Sequence, residues 1–182
     1  MLKSSLYMSV KAKVIWITGL SGSGKTTLAK EVVARLRSAD QTVLMLDGDE
    51  MREVFGANTA NHSNHGRDER MALAMQYAKL CELIARQGVT VVCSTISMFM
   101  EVHSWNRENQ PYYFEVYLKV PLSELRNRDP KGIYRRFDSG ELSNVAGLDL
   151  QVDEPKSPDI LFEFEPNLEL SHMTDEIITK IN

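Results

Sequence analysis

The stretch that most constrains this chain is Val14 to Thr27, V-I-W-I-T-G-L-S-G-S-G-K-T-T. Five uncharged residues, Val14 to Thr18, predict a strand buried on both faces, as in a parallel sheet. They run directly into Gly19-Leu20-Ser21-Gly22-Ser23-Gly24-Lys25-Thr26, which meets the pattern G-x-x-x-x-G-K-[ST] at every fixed position. Leu28, Val32 and Leu36, spaced by four, predict a helix that begins at once. Strand, glycine loop and helix in that order form an anion cradle: backbone N–H groups turn inward, and the helix N-terminus adds about half a positive charge. Lys25 is placed to reach outer phosphates and the Thr26 hydroxyl to ligate Mg²⁺. The expected ligand is a nucleoside triphosphate held by Gly19, Ser21, Gly22, Ser23, Gly24, Lys25, Thr26 and Thr27. A glycine turn that binds nothing would leave the filled motif and both of its flanks unexplained.

At 182 residues the chain is long enough for one good core and too short for two large ones. We expect a loose N-terminal arm over residues 1–12 and a single domain over 13–182. The net charge of −4 disfavours a nucleic-acid polymer as partner, so any anion site must be built from local clusters. Cys81 and Cys93 belong to no C-x-x-C pair and read as small buried hydrophobes of a reducing compartment. No run of 18 apolar residues and no signal-type leader occurs, so a soluble cytoplasmic protein without a membrane partner is expected.

Further apolar runs at Thr42–Leu46, Val89–Cys93, Tyr113–Leu118 and Ile160–Phe164 predict strands. Helical patterns lie between and after them: Met71 to Ala85, stopped at Gly88; roughly Glu101 to Glu108; Leu122 to Asn127; and Met173 to Ile181. The polar stretch 58–67 reads as a loop. Such alternation predicts an α/β fold, a parallel sheet of about five strands sandwiched between helices. Ligands in such sheets sit outside the carboxyl ends of the strands. Residues 128–158 lack a strong period, and a segment of that length without structure of its own reads as a lid.

Two clusters fall on the carboxyl edge. Asp47-Gly48-Asp49 offers two carboxylates opposite the glycine loop, suited to serving a metal and an attacking hydroxyl. Asp and Gly are equally turn formers, so by spacing alone a capped turn explains D-G-D as well. Arg52, one helical turn beyond Asp49, lies on the same side and suits an anionic acceptor. The second cluster, Arg126 to Arg136, carries five basic residues against one acid. Such a run is usually a solvated face; set in a lid, it is placed to close over phosphates. Met71 and Met75 belong to the core stripe, and His62 and His65 have no metal-ligand pattern around them, although His62 remains a candidate for facing a ligand.

These residues together resemble the adenylyl-sulfate (APS) kinases, P-loop enzymes that phosphorylate the 3′-hydroxyl of APS with MgATP. The likeness runs from about Val14 to Pro158. It rests on G-L-S-G-S-G-K-T-T-L-A at 19–29, L-D-G-D-x-x-R at 46–52, Tyr77-Ala78-Lys79-Leu80 and Ile96-Ser97. It continues in F-E-V-Y-L at 114–118, Pro121-Leu122, R-D-P-K-G-I-Y at 128–134 and Gly140-Glu141-Leu142. The resemblance implies a P-loop NTPase-type fold with ATP and Mg²⁺ as cofactors, the metal served by Thr26 and Asp49. It implies Lys25, Asp47, Asp49 and Ser97 in catalysis, and Arg126 and Arg128 beside the adenine and phosphates of ATP. Arg52, His62, Arg67, Arg70, Ile96, Lys131 and Ile133 then line the acceptor nucleotide. The family is often dimeric, so a homodimer is one expected assembly.

Where the family carries F-S-x-x-D-R-x-x-N, this chain has His62 to Arg70, with only Ser63 and Arg67 retained. I-S-P-Y-R is replaced by Ile96-Ser97-Met98-Phe99-Met100, and F-T-G-I by Val145-Ala146-Gly147-Leu148. In the family, the two phenylalanines lost here sandwich the adenine of APS. Stacking on aromatic rings is worth about 1–3 kcal/mol per base face, so both faces together amount to roughly 2–6 kcal/mol. Three functions are therefore open: an APS kinase with a divergent acceptor pocket, the same reaction on a CDP-linked acceptor such as a CDP-phosphoramidate, and a non-catalytic nucleotide-binding module.

Overall fold

The computed structural model describes residues 12–56 and 66–182. Almost all of the N-terminal arm, together with His62 and His65, lies outside the described residues. Five parallel strands form one sheet: β1 (Val14–Gly19), β2 (Val43–Asp47), β3 (Thr90–Ser94), β4 (Tyr113–Lys119) and β5 (Ile160–Glu163), in the order β2-β3-β1-β4-β5. The helices are α1 (Lys25–Ser38), α2 (Gly48–Val54), α3 (Arg67–Ala85), α4 (Met100–Asn109), α5 (Leu122–Arg128), α6 (Ile133–Asp138) and α7 (Leu170–Ile181).

β1 is buried along its whole length because it sits centrally and both of its faces are covered. Strand alternation sends Ile15 and Ile17 to one face, where they pack with Leu28, Val32 and Leu36 of α1 and Ile177 of α7. Val14 and Trp16 go to the other, with Ala74, Ala78 and Cys81 of α3 and Val102 of α4. The methionine stripe behaves as expected, Met71 and Met75 packing against this second core, and Cys81 and Cys93 are buried free thiols.

All five strand ends reach one edge in register. Asp47 pairs with Ser94, Ile17 with Ser94, and Gly19 with Leu118. The tight backbone there explains Gly19: a Cβ would stand 2.6 Å from the Leu118 carbonyl oxygen and 2.8 Å from Ser23 Oγ.

Residues 128–158 differ from the structureless segment that weak periodicity suggests. They contain α6, whose six residues are too short to display a helical period and whose buried side chain is Tyr134. Asp129, which caps the end of α5, braces the first turn of this helix, its carboxylate accepting from the backbone N–H groups of Tyr134 (3.2 Å) and Arg135 (3.0 Å). Val145, Ala146 and Leu150 are also buried. The far end is tied to α4: Asp153 accepts from the Met100 N–H (3.0 Å) and Arg107 pairs with Asp159 at 2.8 Å.

Leu28 is 1% exposed between α1 and the sheet. Leu28→Ala should destabilise the fold by about 2–5 kcal/mol through lost burial and a residual cavity, read as a lower urea midpoint at unchanged slope.

Candidate active site

A cavity of about 460 Å³ opens at the carboxyl edge of the sheet, a volume suited to small-molecule ligands. Its lining combines the glycine loop, the β2–α2 corner, Ser94 at the end of β3 with Thr95 and Ile96 just after it, and Arg128, Pro130, Lys131 and Ile133 from the α5–α6 region.

The D-G-D stretch forms the capped turn at the start of α2. Asp47 is the N-cap of α2, Oδ1 accepting from the Asp49 N–H at 2.9 Å. Its other oxygen, Oδ2, accepts from Thr26 Oγ1 and from Ser94 Oγ, each at 2.7 Å. This carboxylate is 7% exposed, and all three of these hydrogen-bond donors are neutral. A buried anion bonded to hydroxyls beside a phosphate cradle fits a divalent cation shared with phosphate oxygens. No group of three or more His, Cys, Asp or Glu side chains suited to a metal occurs among the described residues. Mg²⁺ in phosphoryl-transfer sites commonly takes only one or two protein ligands, so Thr26 and Asp47 suffice. Asp49, the carboxylate expected for the metal, is instead ion-paired to both Arg52 and Lys131. One helical turn separates it from Arg52, and Lys131 reaches it from the segment after α5.

Lys25 donates to the Leu20 carbonyl at 2.8 Å. Burial, helped by the nearby charges of Lys131 and Arg52, lowers its pKa from 10.5 to about 7, while Asp47 opposes the shift. Lys131 is likewise held below its ordinary value by burial and by Arg52. Lys25, Arg52 and Lys131 crowd together in the cavity, and a bound polyanion would relieve their repulsion.

The glycine loop is gripped from outside. Tyr134 Oη donates to the Ser21 carbonyl at 2.9 Å, and Pro130 lies beside Gly22. Gly147, at φ +82°, sits against Leu20, where a Cβ would come within 2.7 Å of Leu20 Cδ1. Residues 129–147 thus clasp three consecutive loop residues.

Of the expected site residues, Ser21, Gly22, Gly24, Lys25, Thr26, Thr27, Asp47, Asp49, Arg52, Ile96, Arg128, Lys131 and Ile133 line the cavity. Gly19 and Ser23 support the loop from behind. Ser97 does not line the cavity: it is buried at φ +31° with its hydroxyl 2.8 Å from Thr95 Oγ1, so it meets the cavity through Thr95. Arg126 turns away to an ion pair with Asp138. Arg67 is held by Asp153 (2.7 Å) and Glu101 (3.3 Å) and lies over the Phe99 ring, 5.3 Å from its centroid. Arg70 is partly buried and feels the charges of Arg52 and Asp149; it does not line the cavity either. His62 lies outside the described residues. Ser94 and Thr95 are site residues that periodicity alone did not single out. Their signal is a pair of hydroxyls directly after an apolar run, at the edge where ligands bind.

With this geometry in hand, the comparisons are specific. Residues 11–163 match the model of the adenylylsulphate kinase family. The cytidine diphosphoramidate kinase of Campylobacter jejuni is 35% identical over 168 residues, covering 92% of this chain and 95% of that protein. The adenylyl-sulfate kinase of Pseudomonas aeruginosa is 34% identical over 152 residues, covering 82% and 76%. The solved Mycobacterium tuberculosis APS kinase, in complex with AMPPNP and APS, superposes with a TM-score of 0.83 at 29% identity, covering 93% of this chain and 96% of that one. The fold and site define a P-loop phosphotransferase whose acceptor is a hydroxyl group. The chain belongs to the adenylylsulphate kinase family. No helix among the described residues is long and apolar enough to cross a membrane.

A phosphate chain beside Lys25 restores its charged form, so binding takes up a proton. With the free amine near 7, ATP binding at pH 8 should take up close to one proton, and at pH 6 close to none. Calorimetric titrations in buffers of different ionisation enthalpy measure this, and Lys25→Arg, which stays charged throughout, should abolish it.

Proposed function

We propose that this chain transfers the γ-phosphoryl group of ATP to the 3′-hydroxyl of a small nucleotide, adenylyl sulfate being the first acceptor to consider. The observation that carries this reading is the pair of carboxylates with separated surroundings. Asp47 is buried among neutral donors beside Thr26, and Asp49 is held among the cations that face the cavity. Thr26 and Asp47 would hold Mg²⁺, which neutralises charge on the β- and γ-phosphates when bound. Lys25 and the loop N–H groups bind the phosphate chain. Arg52 and Lys131 are placed to engage the anionic groups of the acceptor. That exchange frees Asp49 to accept the proton of the attacking hydroxyl as its oxygen bonds to the γ-phosphorus. The bond from phosphorus to the bridging β–γ oxygen breaks, and ADP leaves. Residues 128–158 act as the cover of the site within a single kinase unit in the cytoplasm.

A second reading of the acceptor has its own support. No aromatic side chain lines the cavity among the described residues, and Val145 stands where the family pattern carries a phenylalanine. A pyrimidine has less stacking surface to lose than adenine, and the C. jejuni relative, matched over nearly its whole length, is a cytidine diphosphoramidate kinase. The CDP-linked acceptor thus competes with adenylyl sulfate on the same machinery.

ADP release from MgATP, measured against adenylyl sulfate, CDP-linked acceptors and nucleoside monophosphates, separates the two. Efficient turnover of adenylyl sulfate at micromolar concentration removes the second reading; turnover of CDP-linked compounds alone removes the first. Val145→Phe should raise kcat/KM for adenylyl sulfate by about 5- to 150-fold, the equivalent of one stacked face, and change the CDP-linked reaction little. Asp49→Asn should lower kcat by about 10²–10⁴-fold with KM for ATP nearly unchanged. An equal loss in both parameters would remove Asp49 from the chemical step.

A further inference from the structure

Arg128 is the last residue of α5 and lines the cavity beside Pro130 and the glycine loop. Its guanidinium is held from two directions. Nε donates to Glu124 Oε1 at 2.8 Å, one helical turn back on α5. Its Cζ lies over the Phe164 ring, 5.1 Å from the ring centroid. Phe164 directly follows β5 and is fixed there by its own N–H, which donates to the Lys119 carbonyl at 2.9 Å. The guanidinium is thus held by a carboxylate and an aromatic ring while Arg128 also lines the cavity.

The phosphate chain is already served by the loop N–H groups and Lys25. A flat cation backed by an aromatic ring and partly neutralised by Glu124 is poorly suited to a further phosphate. It is well suited to stacking on a heteroaromatic base, because a delocalised guanidinium presents a planar, weakly hydrated surface. On the proposed donor-site reading, that base belongs to ATP. We infer that Phe164 is a positioning residue for the donor nucleotide: with Glu124, it holds Arg128 flat as a platform on which the base stacks.

The experiment compares the binding of ATP with that of inorganic tripolyphosphate, which lacks the base, in the full chain and in Phe164→Ala, Phe164→Tyr, Arg128→Ala and the Arg128→Ala/Phe164→Ala double variant. Phe164→Ala should weaken ATP binding and raise KM for ATP by about 3- to 30-fold, the range of one cation–π contact, with kcat unchanged. Tripolyphosphate binding should stay as in the parent, and Phe164→Tyr should restore ATP binding. In the Arg128→Ala background the Phe164 substitution should have little further effect, because the two act as a unit. Equal weakening of ATP and tripolyphosphate would overturn the inference, since Phe164 would then serve only the integrity of the loop. Full additivity of the two substitutions would also overturn it, placing Phe164 in independent contact with the ligand. If the parent protein bound neither ATP nor tripolyphosphate, the donor-site reading itself would fail, an outcome separate from either of these.

Discussion

The Asp47 carboxylate is the point on which the site turns. It accepts from Thr26 at the start of α1, from Ser94 at the end of β3, and from the backbone at the start of α2. Three elements separated in sequence are therefore fixed to one another where the glycine loop opens. The arrangement needs a parallel sheet, because only parallel strands bring the ends of β1, β2 and β3 to the same edge. It also needs β1 in the centre, which its unbroken apolar run makes possible by filling both cores at once. A buried carboxylate served by three neutral donors keeps an uncompensated negative charge, which suits a divalent cation.

The cations in the same cavity show the complementary bias. Burial, with the charges of Lys131 and Arg52 beside it, depresses the amine of Lys25 to about 7. Two of the three are answered by one carboxylate, Asp49, so the resting site is partly self-neutralised. Such crowding favours whatever anion enters and ties binding to proton uptake around neutral pH. Electrostatic preorganisation of this kind costs stability in the empty protein and is recovered on binding.

The 128–158 segment is less loose than its composition suggests. Tyr134, Pro130 and Gly147 touch Ser21, Gly22 and Leu20 in turn, and the Asp153–Asp159 stretch is stapled to α4. The glycine loop, whose own backbone favours no single conformation, is thereby held in shape by residues more than a hundred positions away in sequence. Lys131 and Arg128 line the cavity beside this clasp, so the segment brings positive charge to the cavity from a firm base.

Much of this was legible in the residues themselves. The loop motif between an apolar strand and a helical repeat determined the anion site. Alternating apolar runs determined the parallel α/β fold, and the L-D-G-D and R-D-P-K-G-I-Y stretches pointed to the family. Helix α6 escaped because six residues cannot show a 3.6-residue period, and Ser94 and Thr95 because hydroxyls carry no distinctive pattern. Local sequence could not say which aspartate is buried and which is ion-paired, since both are Asp beside the same glycine. That depended on β2 and β3 lying in register, which buries Asp47 against Ser94 and leaves Asp49 to Arg52 and Lys131. Nor could it say that Arg67 and Arg126 would be claimed by Asp153 and Asp138, because those partners lie 86 and 12 residues away. Residue types and spacing determined the chemistry available to this protein. Only the tertiary structure decided which groups meet, because burial and pairing are properties of neighbours in space.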